Sequence, residues 1–258
     1  MTSNFDHNLC FFTVVFNPES NTFNIVENAI LQGYDVYVYI NRASDDDIRR
    51  LRKLGAKVLG ENENVGLGVA FYELEQRLEY NGGGAYIYFD QDTVVERSTF
   101  REIARRYEQD LSKNNNYFIF YTSEDKDKFK IGFTPSSGCL FRVDGSSLYH
   151  NNEYYVECVD YEFCCRTIIK GGNVKIVKIA GIDHHSLQDS TKKKFLGREI
   201  KFRVYPTRRV LDFNLSHYKL VKYTVSNRKF KLSFFLLKSL VIFNLFNIRN
   251  RILDSLSC

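Results

Sequence analysis

The chain has 258 residues, 44% hydrophobic and 26% charged, proportions that exclude a disordered or fibrous polymer and allow one large domain with an appendage. Its six cysteines (Cys10, Cys139, Cys158, Cys164, Cys165, Cys258) lack metal-ligand spacing, which argues against a zinc module and fits buried thiols in a reducing compartment. The formal net charge of +5 gathers in the C-terminal part, from Lys192, Lys193 and Lys194 to Arg251, so an anionic partner is expected, either a membrane surface or another polyanion.

In chain order, the β-branched and aromatic run over 10–16 reads as a first strand closed by Asn17 and Pro18. A helical pattern with Ile25, Ala29 and Ile30 on one side leads to a second strand over 34–40. Asp45, Asp46 and Asp47 then open a helix through Leu54, where acids in the first turn complement the helix dipole. A short third strand follows over 56–59. Residues 61–70 are rich in Asn and Gly and run into a helix through Leu78. The glycine loop 82–84 precedes an apolar run over 86–89 that stops at Asp90-Gln91-Asp92. A helix over 98–111, capped by Ser98, and a strand over 117–121 come next. Residues 134–142 combine a small-residue turn with a strand, and a helix carrying Asp160 and Glu162 ends at Gly171 and Gly172. A strand over 174–179 precedes Asp183-His184-His185. Strands alternating with helices in this way predict a parallel sheet with crossover helices.

Three stretches carry chemistry. Asp90 and Asp92 stand at the end of a buried strand, the rim where open α/β sheets bind ligands, and two carboxylates one residue apart can share a divalent cation; an acidic strand-to-loop turn is the plainer alternative. Gly66 and Gly68 at a helix entrance would let a ligand approach the backbone, or they form a turn capped by Asn64. Glu157, Asp160 and Glu162 lie in an apolar neighbourhood, so they are either paired or functional. Glu162 and Arg166 are spaced for an ion pair along a helix, whereas Asp160 has no basic residue at that spacing.

Together these stretches resemble glycosyltransferase family 2, in particular its bacterial rhamnosyltransferase-like and galactofuranosyltransferase-like enzymes, over roughly residues 10–210. Phe16-Asn17-Pro18 is similar to the family's opening, 61–70 to its nucleotide loop, and Asp90-Gln91-Asp92 to its metal motif. Ser137-Gly138-Cys139-Leu140 resembles the acceptor-side glycine segment, Val159-Asp160-Tyr161-Glu162 the helix entrance bearing the base, and His185-Ser186-Leu187 the late metal-binding histidine. The resemblance implies an α/β GT-A (Rossmann-like) fold, a mostly parallel sheet flanked by helices with a basic helical extension at the C-terminus. It further implies Mg²⁺ or Mn²⁺ held by Asp90, Asp92 and His185, and Asp160 as the general base of an inverting displacement. Phe16, Asn17, Asn41, Asn64, Gly66, Gly68, Asp90 and Gln91 would line the nucleotide, with Asn41 where relatives carry an Asp. Gly138, Cys139, Glu157 and Glu162 would face the acceptor. His184 competes with His185 for the metal.

Residues 1–210 are thus expected to form the glycosyltransferase domain, and 211–258 a basic amphipathic helical tail. Lys238 interrupts the apolar run that follows Lys229, so the tail suits an interfacial helix better than a membrane span; packing on the domain or in a homodimer is the alternative. The expected partners are a dTDP- or UDP-linked sugar such as rhamnose, a glycan or lipid-linked glycan acceptor of a bacterial surface polysaccharide, and the membrane surface, with no nucleic acid. The start MTSNFDHNLC lacks a basic region followed by a long apolar stretch, so the expected location is the cytoplasm, peripheral on the inner membrane face. A nucleotidyltransferase would carry a Gly-rich, basic stretch after the first strand, where Phe16-Asn17-Pro18-Glu19 stands instead. A non-catalytic polyanion- or membrane-binding module is the other rival.

Overall fold

The computed structural model describes residues 9–110, 118–129, 132–145, 148–184, 191–195, 198–202 and 205–255. The chain forms two compact units, one of Met1–Tyr155 with Val159–His185, the other of Val156–Cys158 with Ser186–Cys258. Residue 210, where the sequence reading ends its first domain, lies inside a helix, Thr207–Ser226.

The first unit alternates strands and helices: β1 (Leu9–Phe16), α1 (Ser20–Leu31), β2 (Asp35–Arg42), α2 (Asp45–Leu54), β3 (Lys57–Leu59), α3 (Gly66–Tyr80), β4 (Gly84–Tyr88), β5 (Thr93–Val95), α4 (Arg97–Asp110), β6 (Ile119–Thr122), β7 (Cys139–Val143), α5 (Val159–Ile169), β8 (Lys175–Lys178) and β9 (Ile182–His184). Seven strands make one sheet in the order β3-β2-β1-β4-β7-β6-β8, and β5 pairs with β9 apart from it. β3, β2, β1 and β4 are parallel neighbours, as are β6 and β8, whereas β7 runs antiparallel to both β4 and β6. The parallel sheet expected from the alternation thus holds except at β7. Among the described residues, the link from β6 to β7 contains only a short 3-10 turn, Lys126–Phe129, and antiparallel neighbours need no crossover helix.

Local chemistry sets the helix ends. Ser44 and Asp47 form a reciprocal capping box on α2, and Gly55 closes it in the left-handed region at φ +104°. α4 begins at Arg97, so Ser98 sits in its first turn instead of capping it, its hydroxyl turned back to Glu96.

The central strands are buried on both faces, which is why β1 and β2 read as nearly unbroken apolar runs. On one face Phe11, Val38, Ile87 and Phe89 pack with Phe23 and Val26 of α1 and Phe100 and Ile103 of α4. On the other, Phe12, Tyr86 and Tyr88 pack edge-on or tilted against Phe71 of α3, whose ring lies 4.6 Å from that of Tyr88. Each such aromatic contributes about 1.5–3 kcal/mol on burial. This second layer encloses a polar group: Glu75 accepts from the Tyr86 hydroxyl (2.6 Å) and the His150 amide (2.7 Å) and meets His150 Nδ1 at 2.7 Å, with the imidazole stacked between Phe71 and Phe163.

The second unit contains the antiparallel ribbon β10 (Thr191–Phe195) and β11 (Arg198–Phe202), then α6 (Thr207–Ser226) and α7 (Phe230–Ser255). The two helices form an antiparallel hairpin, tied by Asn214 to Asn244 (2.7 and 3.2 Å), Ser233 to Thr224 (2.8 Å) and the stacked rings of Phe213 and Phe243. Asp212 accepts from the amides of Val156 and Glu157 (3.2 and 2.9 Å), and Arg209 pairs with Glu157.

Candidate functional site

β4 is the middle strand of the sheet, and just past its carboxyl end the chain turns through Phe89, Asp90, Gln91 and Asp92 into β5. Asp90 is half-buried and Asp92 exposed. The turn is held from several sides. Ser137 Oγ accepts from the Asp90 amide (3.0 Å) and lies 3.1 Å from Thr93 Oγ1, and the Tyr88 hydroxyl donates to Asp90 Oδ1 (2.8 Å). Gln91 spans to β1: its Oε1 accepts from the Phe16 amide (2.7 Å) and its Nε2 donates to the Phe16 carbonyl (3.1 Å). The middle residue of the acidic triplet is therefore a staple that fixes the turn, while the two carboxylates flank it.

Burial pushes the Asp90 carboxyl up to about 6, the hydrogen bond from Tyr88 lowers it, and the charge of Asp92 raises it again. Burial and the nearby Asp90 charge hold the Tyr88 phenol well above its ordinary value, so it remains a proton donor. Two carboxylates at one strand end, one of them reluctant to ionise without a positive neighbour, are hard oxygen donors that fit Mg²⁺ or Mn²⁺. No cluster of three or more His, Cys, Asp or Glu that could hold a metal occurs among the described residues. The register Thr93↔His184 sets the His184 backbone opposite the residue after Asp92; His185 lies outside the described residues.

The other predicted site residues divide into two groups. Phe16, at the end of β1, is 42% exposed, and Asn17 follows it in the left-handed region at φ +53° with its amide on the Arg42 carbonyl. Gly138 (φ +95°) donates to the Tyr88 carbonyl (2.7 Å), and its place next to Ser137 joins β4 to β7. Cys139 is buried, its thiol 3.1 Å from the Pro135 carbonyl, and burial and the nearby charges of Cys164 and Asp160 hold it well above the usual thiol range. Asp160, half-buried in the first turn of α5, accepts from the Tyr161 amide (2.8 Å). The segment 137–139 thus touches the Asp90 turn at Ser137 and senses the Asp160 charge at Cys139.

The remaining group is committed to holding the chain. Asn41 is buried, accepting from the Val65 amide (3.2 Å) and donating to the Gly66 carbonyl (3.3 Å), so its amide links β2 to α3 at both ends. Asn64 Oδ1 accepts from the Gly66 amide (3.2 Å). The space beside Gly66 and Gly68 is filled by residues 151–155: a Cβ on Gly66 would lie 2.2 Å from the Tyr155 carbonyl oxygen, and one on Gly68 would lie 2.1 Å from that of Tyr154. The same Tyr155 carbonyl takes the Leu67 amide (2.6 Å), so the helix entrance is met by protein backbone and not by an open anion cradle. Glu162, buried, is engaged by Arg166 through two nitrogens (2.5 and 2.8 Å), the ion pair its spacing suggested. Glu157 belongs to the second unit and pairs with Arg209.

Sequence reasoning missed Tyr88 and the role of Ser137. Tyr88 had a signal, since residues two apart in a strand project to the same face and a Tyr two before an Asp can reach it. At the carboxyl ends of β2 and β3 an open pocket of about 310 Å³ is lined by Asp45, Arg49, Arg52, Glu61 and Asn62, among others.

No protein-family model matches the sequence, and no curated protein matches it. Solved structures do resemble its fold. TarS of S. aureus superposes with a TM-score of 0.50 at 13% identity, over 67% of this chain and 36% of that one. A form of TarS limited to 1–349 gives 0.53 at 13% identity, over 67% and 59%. A mycobacterial protein gives 0.55 at 10% identity, over 85% and 74%. The chain thus spans 36% and 59% of the two TarS chains. The likeness is one of fold: a mostly parallel sheet flanked by helices, a GT-A-like α/β architecture.

Proposed function

We propose that the protein is a metal-dependent inverting glycosyltransferase that moves a sugar such as rhamnose from a dTDP- or UDP-linked donor to a hydroxyl of a bacterial surface glycan or lipid-linked glycan on the cytoplasmic side of the membrane. One observation carries the reading: Asp90 and Asp92 stand at the carboxyl end of the middle strand of a GT-A-like sheet, in a turn that Ser137, Gln91 and Tyr88 hold in place. When bound there, Mg²⁺ or Mn²⁺ supplies positive charge against the negative charge that develops on a departing nucleoside diphosphate. Asp90 and Asp92 would hold the ion, and Tyr88 orients Asp90. Asp160 accepts the proton of the acceptor hydroxyl as it attacks the anomeric carbon from the face opposite the leaving group.

The test is release of nucleoside diphosphate from a panel of nucleotide sugars, with Mn²⁺ and with excess chelator. Loss of several kcal/mol of charge stabilisation corresponds to roughly 100-fold or more, so Asp92→Ala should fall by at least that much while melting like the parent. Unchanged turnover by Asp92→Ala, or full activity in chelator, refutes the reading. Pyrophosphate release from a nucleoside triphosphate and a sugar phosphate would select nucleotidyl transfer in its place.

A further inference from the structure

The hairpin of the second unit keeps an apolar face that its own packing does not use. α7 buries Leu232, Ser233, Leu236, Phe246 and Asn247, yet Phe230, Phe234, Leu237, Val241, Leu245 and Ile248 are exposed, Phe234 by 70%. These six recur at steps of four, three, four, four and three, one continuous stripe along a helix. α6 repeats the arrangement with Leu211, Leu215, Tyr218 and Val225, all exposed. In both helices the stripe lies roughly 65–95° further round, in the same rotational sense, than the residues at the seam (Asn214 and Thr224, Ser233 and Asn244). Because the helices are antiparallel, equal turns from the seam bring both stripes to the same face of the hairpin.

Charge identifies what covers that face. From 207 to 255 the sequence has ten basic residues and two acidic ones. At about 100° per residue, the exposed Lys231 and Lys238 flank the α7 stripe beside Phe234 and Leu245, and Lys222 lies within the α6 stripe. A second copy would bring basic flanks against basic flanks, whereas an anionic bilayer satisfies both the stripe and its borders. The segment Phe230–Arg249 is long and apolar enough to cross a membrane, with a mean hydropathy of 1.5. Crossing would carry Lys238 into the hydrocarbon and either pull α7 from its hydrogen bonds to α6 or drag in Asp212, Lys219 and Lys222, at about 2.5–3.5 kcal/mol for each charge at the centre.

We infer that α6 and α7 lie as a hairpin in the plane of an anionic lipid surface, with Leu211, Leu215, Tyr218, Phe234, Val241 and Leu245 in the acyl boundary and Lys222, Lys231 and Lys238 among the headgroup phosphates. The inference is independent of the transferase reading, since vesicle binding is measured without donor or acceptor and donor turnover without lipid. The full chain should float with phosphatidylcholine vesicles containing phosphatidylglycerol. Phe234→Glu with Leu245→Glu should weaken partitioning at least 10-fold with the far-ultraviolet circular dichroism unchanged, and Lys231→Glu with Lys238→Glu should abolish the preference for anionic vesicles. The chain has no Trp, so Phe234→Trp, Val241→Trp and Ile248→Trp each report one depth by quenching from brominated lipids. An in-plane hairpin gives three equal, shallow depths. A Val241→Trp signal deeper than the other two, failure to bind anionic vesicles, or a dimer broken by Phe234→Glu each overturns it.

Discussion

Gly68→Ala separates two explanations of the glycines at the start of α3. Inside a helix alanine is favoured over glycine by about 0.8–1.0 kcal/mol, so a glycine whose neighbouring space was open to a ligand would tolerate the change and the protein would gain stability. Here the added Cβ would sit 2.1 Å from the Tyr154 carbonyl oxygen and 2.7 Å from that of Asn151, both backbone atoms that no side-chain rotation can move aside. Relief requires the chain at 151–155 to retreat by more than an ångström from ordinary contact, which loosens the Leu67 hydrogen bond to Tyr155. Overpacking costs about 1–3 kcal/mol and a weakened hydrogen bond about 0.5–1.5 kcal/mol, against a helix gain near 1. The net is a loss of about 0.5–3.5 kcal/mol, or a fall in melting temperature of roughly 1–14 °C for a unit of this size. Thermal melts of the parent, Gly68→Ala and Gly82→Ala check it; Gly82 has nothing within 4 Å of its Cβ position and controls for backbone strain alone, at φ +96°. If Gly68→Ala melts at or above the parent and instead loses affinity for nucleoside diphosphates, the packing explanation is wrong and the glycine serves a ligand.

Gln91→Ala removes both hydrogen bonds to Phe16 and should cost about 1–2 kcal/mol while weakening Mn²⁺ binding several-fold; unaltered Mn²⁺ affinity would show that the Asp90 turn holds its shape without the staple. Asp160→Asn should retain donor binding and lose turnover by about 10²–10⁴-fold, and equal rates for variant and parent would remove Asp160 as the base. Burial lowers the His217 imidazole from 6.5 to about 4, the hydrogen bond from its ring to the Phe213 carbonyl opposing the shift. A depressed imidazole contributes stability that is complete above pH 6.5 and is lost as pH falls through about 4, by at most about 3 kcal/mol. Urea titrations at pH 7 and 4.5 should therefore show a smaller drop for His217→Gln than for the parent; identical drops would assign the acid sensitivity elsewhere.

The strands around Asp90 were legible because burial on both faces leaves an unbroken apolar run, and the run's end marks the rim of the sheet. β7 was legible as a strand but not in direction, since direction depends on whether its link carries a crossover, which the small-residue turn at 134–138 does not announce. Gly66 and Gly68 announced a close approach but not its partner. That partner is backbone more than eighty residues later, and glycine reports missing volume without saying what fills it. Nucleotide contacts for Asn41 and Gln91 are what the family resemblance implies, not what their spacing shows; their amides tie β2 to α3 and β1 to the acidic turn. The Glu162 and Arg166 pair could be read from spacing alone, because four residues is a helical turn.

Three residues, Val156–Cys158, belong with α6 and α7 although the chain on either side of them belongs to the sheet. During synthesis they leave the ribosome more than fifty residues before Asp212, whose carboxylate takes the Val156 and Glu157 amides. At about 5–20 residues per second, that interval lasts roughly 3–11 s. Until it closes, the nascent sheet carries, two positions before Asp160, a stretch whose partners have not yet been made. Any product truncated ahead of Thr207 keeps that stretch unfinished for good, so the C-terminal helices cannot be trimmed as a dispensable tail.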